Sequence, residues 1–297
     1  METTVGIIGL GPMGGTIAEI LLGKKISVVG YDIVPGIMDR LAKSGLGATA
    51  SATEVAEKAD VLIASLPSAK ALRDVVDQVV EHERAGQVLI ECSTLSVDDK
   101  VAAHGRMAEA GKILLDCPIS ATPAMMAKMM ASIHISGDKA AYEQCLPVFE
   151  AFTASNFYVG EVGNGSRMKI LANYLVHVHT TAAAECMVMG QKAGLDPALI
   201  YDVLKSSAGT SRMFEIRGAM MAKSDYREGG GTMFAVLDKD AGIITEFAAS
   251  VKAPIDLYVI ARQRMMSAMA NGLDHLDTSA VCKMIEMTAG IDRKLVE

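Results

Sequence analysis

Val5-Gly-Ile-Ile-Gly9-Leu-Gly11-Pro-Met-Gly14 couples a short β-branched run to three glycines spaced GxGxxG, and a helix-forming segment follows directly. Glycines at this spacing serve a tight turn, a close approach of backbone to a pyrophosphate, and close packing of helix on strand. The first helical turn then offers unpaired N–H groups to the anion. The expectation is a dinucleotide-binding loop made by Gly9, Leu10, Gly11, Pro12, Met13 and Gly14. The next β-rich run ends at Tyr31-Asp32, where a carboxylate accepts hydrogen bonds from ribose hydroxyls. A 2'-phosphate would meet Asp32 as a like charge, and no Lys or Arg follows before Arg40, so NAD is expected rather than NADP. The competing reading of Asp32 is a strand-end turn residue.

Working outward, short β-rich runs at residues 5–8, 26–31, 61–66, 88–92, 113–117, 133–136 and 157–159 alternate with helical stretches. That alternation builds a largely parallel sheet with helices on both faces. Its further strand ends, Ser65-Leu66-Pro67 and Cys92-Ser93-Thr94, fall where an open parallel sheet holds its ligand, so Leu66, Pro67 and Thr94 are expected to line the cofactor groove. After Gly165 the pattern changes: residues 166–192 contain no proline and only Gly190, which predicts a helix of roughly 40 Å. Shorter helices follow to the end. The fold class is therefore α/β, a doubly wound parallel sheet of the Rossmann type followed by an all-α domain, joined by a long interdomain helix. The boundary is placed in the Gly160 to Gly165 stretch, giving residues 1–162 and 163–297.

A chain of 297 residues, 51% hydrophobic, is long enough for two cores. Its net charge of -7 is spread along the sequence without a basic stripe, so nucleic acid is not an expected partner. Five scattered cysteines and no CxxC or HExxH spacing suggest a reducing cytoplasm and no metal site. No apolar run of about 18 residues suggests a membrane span.

Gly163-Asn-Gly165-Ser-Arg-Met-Lys169-Ile-Leu-Ala-Asn173 opens the long helix, and intervals of four place Gly165, Lys169 and Asn173 on one face. A lysine and an amide stacked there can hold one oxygen atom between them. Hydride transfer to a carbonyl leaves an alkoxide that needs a proton, and the reverse reaction needs a base. Lys169 suits either task if partial burial lowers its pKa. A lysine in this place is otherwise a solvated surface residue, and Asn173 an exposed one.

With these motifs in order, together with Asp116-Cys-Pro-Ile-Ser120 and Lys239-Asp240, the sequence resembles the β-hydroxyacid dehydrogenases along essentially its whole length. This is the family of 3-hydroxyisobutyrate dehydrogenase, tartronate semialdehyde reductase and threonate dehydrogenase. The resemblance implies that Lys169 is the general acid/base, that Ser120 and Asn173 hold the substrate, and that Phe234 and Lys239 belong to the cofactor site, with Lys239 closing over it. It also implies a homodimer or homotetramer, in which the Met-rich C-terminal helices pack between subunits, or those methionines are ordinary core. The family's usual pair of glycines after the serine is replaced by Ala121-Thr122, so the carboxylate cradle there is altered. The Met125 to Met130 stretch admits a bulkier substrate, or packs its methionines inward.

Two further residues are candidate substrate contacts. His177 continues the Lys169 face, or is a buried, satisfied histidine. Arg212 could form a bidentate carboxylate anchor, or is a surface arginine. The expected reaction is NAD-dependent reversible oxidation of a 3-hydroxy acid or 2-hydroxymethyl acid to its semialdehyde or keto acid. An imine reductase and a non-catalytic dinucleotide-binding module are the alternatives. Lys169 and Asp32 weigh against the first, and the intact Gly165-Lys169-Asn173 face against the second.

Overall fold

The computed structural model describes residues 3–227 and 233–295. It comprises two compact units, Met1–Lys169 and Ile170–Glu297. The divide falls inside a helix, a few residues beyond 162, because the first turns of that helix bond to strands of the first unit.

In the first unit, β1 (Thr4–Ile8), β2 (Ser27–Tyr31), β3 (Gly47–Ala48), β4 (Val61–Ala64), β5 (Val88–Glu91) and β6 (Ile113–Asp116) form one sheet ordered β3-β2-β1-β4-β5-β6. Every pairing is parallel. Alternate side chains go to opposite faces: Val5, Ile7, Ile63 and Ile90 enter one buried cluster, while Ile8, Leu62, Ala64 and Leu89 enter the other. Burial on both sides, at roughly 1.5–3 kcal/mol for each large aliphatic side chain, explains why these strands are continuously apolar. This is the Rossmann arrangement. Its strand order reverses between β1 and β4, whose C-terminal ends therefore flank a crevice.

Helices α1 (Pro12–Gly23), α2 (Pro35–Ala42), α3 (Ala52–Lys58), α4 (Ala69–Glu81) and α5 (Val97–Glu109) make the crossovers. Ser51, Ser68 and Ser96 cap α3, α4 and α5 by accepting a backbone N–H in the first turn. By contrast, α1 starts at Gly11 with no side-chain cap and no acidic residue in its first turn. Its amides are left for an anion.

The runs at 133–136 and 157–159 do not extend this sheet. They form β8 (Ser132–Ile135) and β9 (Ser155–Tyr158) of a second sheet ordered β7-β8-β9, where β7 is Ile119–Ser120. β7 runs antiparallel to β8, and β8 parallel to β9. Pro118, which has no N–H to continue a ladder, separates β6 from β7, and its carbonyl accepts from His134 N. Between β7 and β9 lie α6 (Pro123–Ala127) and α7 (Lys139–Phe152).

Helix α8 (Asn164–Lys192) leads into the second unit, which contains α9 (Pro197–Leu204), α10 (Arg212–Lys223), α11 (Phe234–Ser250), α12 (Asp256–Ala270) and α13 (Val281–Thr288). Met187, Ile200, Phe214, Met221, Tyr226, Phe234, Met265 and Val281 share its core. Met265 is buried, whereas Met266 and Met287 are exposed, so the C-terminal methionines divide between core and surface. No described helix is long and apolar enough to cross a membrane.

Candidate active site

The glycine loop is shaped by clashes that any side chain would create. Gly9 has φ +86°, and a Cβ there would lie 2.3 Å from Ser65 O; at Gly14 it would lie 1.9 Å from Gly9 O. A Cβ on Gly11 would meet nothing within 4 Å, so the loop presents bare backbone to open space beside the uncapped start of α1. Those residues fit a dinucleotide pyrophosphate. Pro12 occupies the first turn of α1, Leu10 is fully buried, and Met13 packs against the core.

Asp32 lies just past β2 and supports the loop: Leu10 N donates to its Oδ2 at 2.7 Å and Val34 N to its Oδ1 at 2.9 Å. The strand-end turn and a ribose-facing carboxylate are thus compatible roles, since each oxygen keeps acceptor capacity. Arg40 pairs with Glu19 at 3.4 Å. At the ends of β4 and β5, Leu66 N donates to Ser93 Oγ at 2.7 Å; Pro67 is exposed and Thr94 half-buried. The expected cofactor residues of the first unit therefore gather at the C-terminal ends of β1, β2, β4 and β5.

The lysine helix starts at the same edge of the sheet. Asp116, the last residue of β6, accepts Ser166 N on Oδ2 and Ser166 Oγ on Oδ1, both at 2.8 Å. Ser136 Oγ accepts Gly165 N at 2.9 Å. A Cβ on Gly165 would come within 2.5 Å of Asp116 O and 2.7 Å of His134 O, so this glycine lets α8 abut the strands. Lys169, one turn further on, is half-buried. Its charge is felt at His134, whose imidazole is held below its ordinary pKa by burial first and by Lys169 second.

Nearby in sequence, Ser120 and Ala121 are half-buried. Thr122 caps α6, its Oγ1 accepting Met125 N at 3.3 Å. Met126 of that helix is wholly buried and Met130 exposed.

In the second unit, Asn173 is buried and donates from Nδ2 to Asp240 Oδ2 at 2.7 Å. The carboxylate can only accept, so the amide nitrogen is fixed toward it. His177 is also buried, with Nδ1 2.9 Å from Asn173 O and its ring edge-on to Tyr258. Burial brings its pKa down to about 4, so the imidazole is neutral at ordinary pH. Tyr174 stacks on Tyr258. Arg212 is exposed at the start of α10 and pairs with Glu215 at 2.7 Å. Phe234, expected beside the cofactor, is buried in the core of its own unit. Lys239 is exposed, 3.8 Å from Asp240.

One cluster escapes the sequence reading. Lys100, Glu91 and Asp116 are fully buried and paired in the first unit. The available signal was Lys100 on the apolar stripe of α5, in line with Ala103 and Met107. Among the described residues, no group of His, Cys, Asp and Glu could hold a metal ion.

Two family models divide the chain. Residues 4–160 match the NAD binding domain of 6-phosphogluconate dehydrogenase, and residues 163–285 match the NAD-binding domain of NADP-dependent 3-hydroxyisobutyrate dehydrogenase. The sequence is 33% identical over 291 residues to L-threonate dehydrogenase of Cupriavidus necator, covering 96% of both chains. Among solved structures it is similar to 3-hydroxyisobutyrate dehydrogenase from Salmonella typhimurium, with 31% identity, TM-score 0.83, and 95% and 99% of the two chains covered. The Mycobacterium tuberculosis 3-hydroxyisobutyrate dehydrogenase determined with L-serine gives 27% identity, TM-score 0.88, and 96% and 99% coverage. Matched from end to end in sequence and fold, the chain belongs to the β-hydroxyacid dehydrogenase family and is an oxidoreductase with an NAD(P)-binding Rossmann domain.

Proposed function

We propose that this protein catalyses the reversible, NAD-dependent oxidation of a 3-hydroxy acid or 2-hydroxymethyl acid to the corresponding semialdehyde or keto acid. The observation that carries the reading is the anchoring of the Lys169 helix to Asp116, on the same sheet edge where the Gly9–Gly14 backbone stands open. A bound nicotinamide supplies the hydride acceptor at C4. Lys169, as the free amine, takes the hydroxyl proton while the carbinol carbon loses hydride; as the ammonium it returns that proton in the reduction. Asn173, its nitrogen committed to Asp240, offers its carbonyl oxygen to a donor on the substrate, and Ser120 binds the substrate from the end of β7. Asp32 favours NAD, because a 2'-phosphate would face a carboxylate already placed by two amides. The similarity to L-threonate and 3-hydroxyisobutyrate dehydrogenases supports this substrate class. The cytoplasm and a homo-oligomer are the setting that goes with it.

The test is initial-rate reduction of NAD and NADP with a panel of 3-hydroxy acids, on wild type and Lys169→Ala. Wild-type turnover, faster with NAD, should fall by roughly a hundredfold or more in the variant while NADH binding persists. An unchanged rate in Lys169→Ala would remove the lysine from the chemistry, and a preference for NADP would overturn the role given to Asp32.

A further inference from the structure

Lys100, Glu91 and Asp116 have no exposed surface, and the group joins one ammonium to two carboxylates. Taking such charges out of water generally costs more than an apolar cluster of the same volume, unless hydrogen bonds satisfy every member. Here ion pairs and hydrogen bonds join the three in a continuous chain. Lys100 Nζ pairs with Glu91 Oε2 and lies 3.1 Å from Asp116 Oδ1, and it donates to Glu91 O at 3.3 Å. Burial acts most strongly against its charge, but the two carboxylates outweigh it and hold its pKa above the ordinary lysine value.

Followed outward, the chain ends in two places that matter for catalysis. On one side Glu91 Oε1 accepts Ser93 Oγ and, at 3.0 Å, Ser93 N; Ser93 Oγ in turn accepts Leu66 N at 2.7 Å. On the other, Asp116 accepts both the N–H and the hydroxyl of Ser166, three residues before Lys169. Strand ladders join β4, β5 and β6 but stop short of both ends: Leu66 lies past β4, and Ser166 belongs to a helix.

We infer that Lys100 is a positioning residue that locks the loop at Leu66–Pro67 to the first turn of α8 through Glu91 and Asp116, fixing Lys169 relative to the cofactor groove. The inference rests on the reading above of Lys169 and of the groove. An apolar residue at position 100 would suit the stripe of α5 without making this connection.

The test compares wild type with Lys100→Met, Ser93→Ala and Ser166→Ala by amide hydrogen exchange without cofactor, by NADH binding and by kcat against KM. Lys100→Met should raise exchange about tenfold around both 66–72 and 165–170 while leaving 4–8 protected. It should weaken NADH binding and lower kcat with little change in substrate KM. Ser93→Ala should act mainly on NADH affinity, and Ser166→Ala mainly on kcat. Exchange, NADH affinity and kcat within twofold of wild type in Lys100→Met would overturn the inference; if that variant does not fold, the same result in both serine variants would do so. Should no hydroxy acid be turned over by wild type, the proposed reaction fails, while exchange and NADH binding still decide the role of Lys100.

Discussion

His177 shows how one buried ring links local structure to pH. Its pKa is about 4 when folded against an ordinary 6.5, so above pH 6.5 neither the folded nor the unfolded chain protonates it and stability is fully present. Between about 6.5 and 4 only the unfolded chain takes the proton, and stability falls by about 3 kcal/mol in total. Denaturant titrations across this window should show that loss in the wild type and a flatter curve in His177→Leu. Equal slopes would mean that other groups carry the dependence. The sequence placed His177 one turn beyond Asn173 but left its role open, because spacing does not reveal whether Asn173 O and Tyr258 close around the ring. Asp32 was legible for the opposite reason: its distance from the glycine motif fixes both its strand and its end of that strand. Lys100 was hidden because a lysine in a helix is ordinarily solvated, and only its partners on β5 and β6 reverse that expectation.

At the level of elements, α8 depends on a close approach at Gly165. Gly165→Ala should push its first turn away from Asp116 O and His134 O, costing about 1–3 kcal/mol as overpacking does. It should also lower kcat more than it weakens NADH binding. Calorimetry and kinetics on that variant check both, and a melting temperature equal to wild type would show that the strands yield without strain. The long helix and five of the six strands of the parallel sheet were readable, since their apolar runs and glycine punctuation are local; β3, two exposed residues at Gly47–Ala48, offers no such run. The second sheet was not, because nothing local distinguishes β8 and β9 from strands of the first. Their separation comes from Pro118 and from the antiparallel bridge between Asp116 and Ser136, both set by tertiary pairing.

For the whole molecule, the cysteines report on packing. All five are free; Cys92, Cys117, Cys145 and Cys282 are buried, and Cys186 is half-buried. Burial raises the thiol of Cys145 to about 11 and that of Cys282 to about 12, which suppresses the reactive thiolate. Titration with a chromogenic disulfide reagent should therefore detect at most one fast thiol in the native protein and five after denaturation. Four or five fast thiols in the native state would contradict the cores described.

The strand order also bears on the birth of the chain. β1, although first of the sheet's strands in chain order, ends in the middle of the sheet, paired with β2 on one side and β4 on the other. A growing polypeptide has made the first partner by residue 31 but the second only by residue 64. Throughout that interval β1 presents an open, apolar edge of the kind on which strands from neighbouring chains can add. The ribosome thus exposes, for the 33 residues that separate Tyr31 from Ala64, an edge that the finished sheet pairs on both sides.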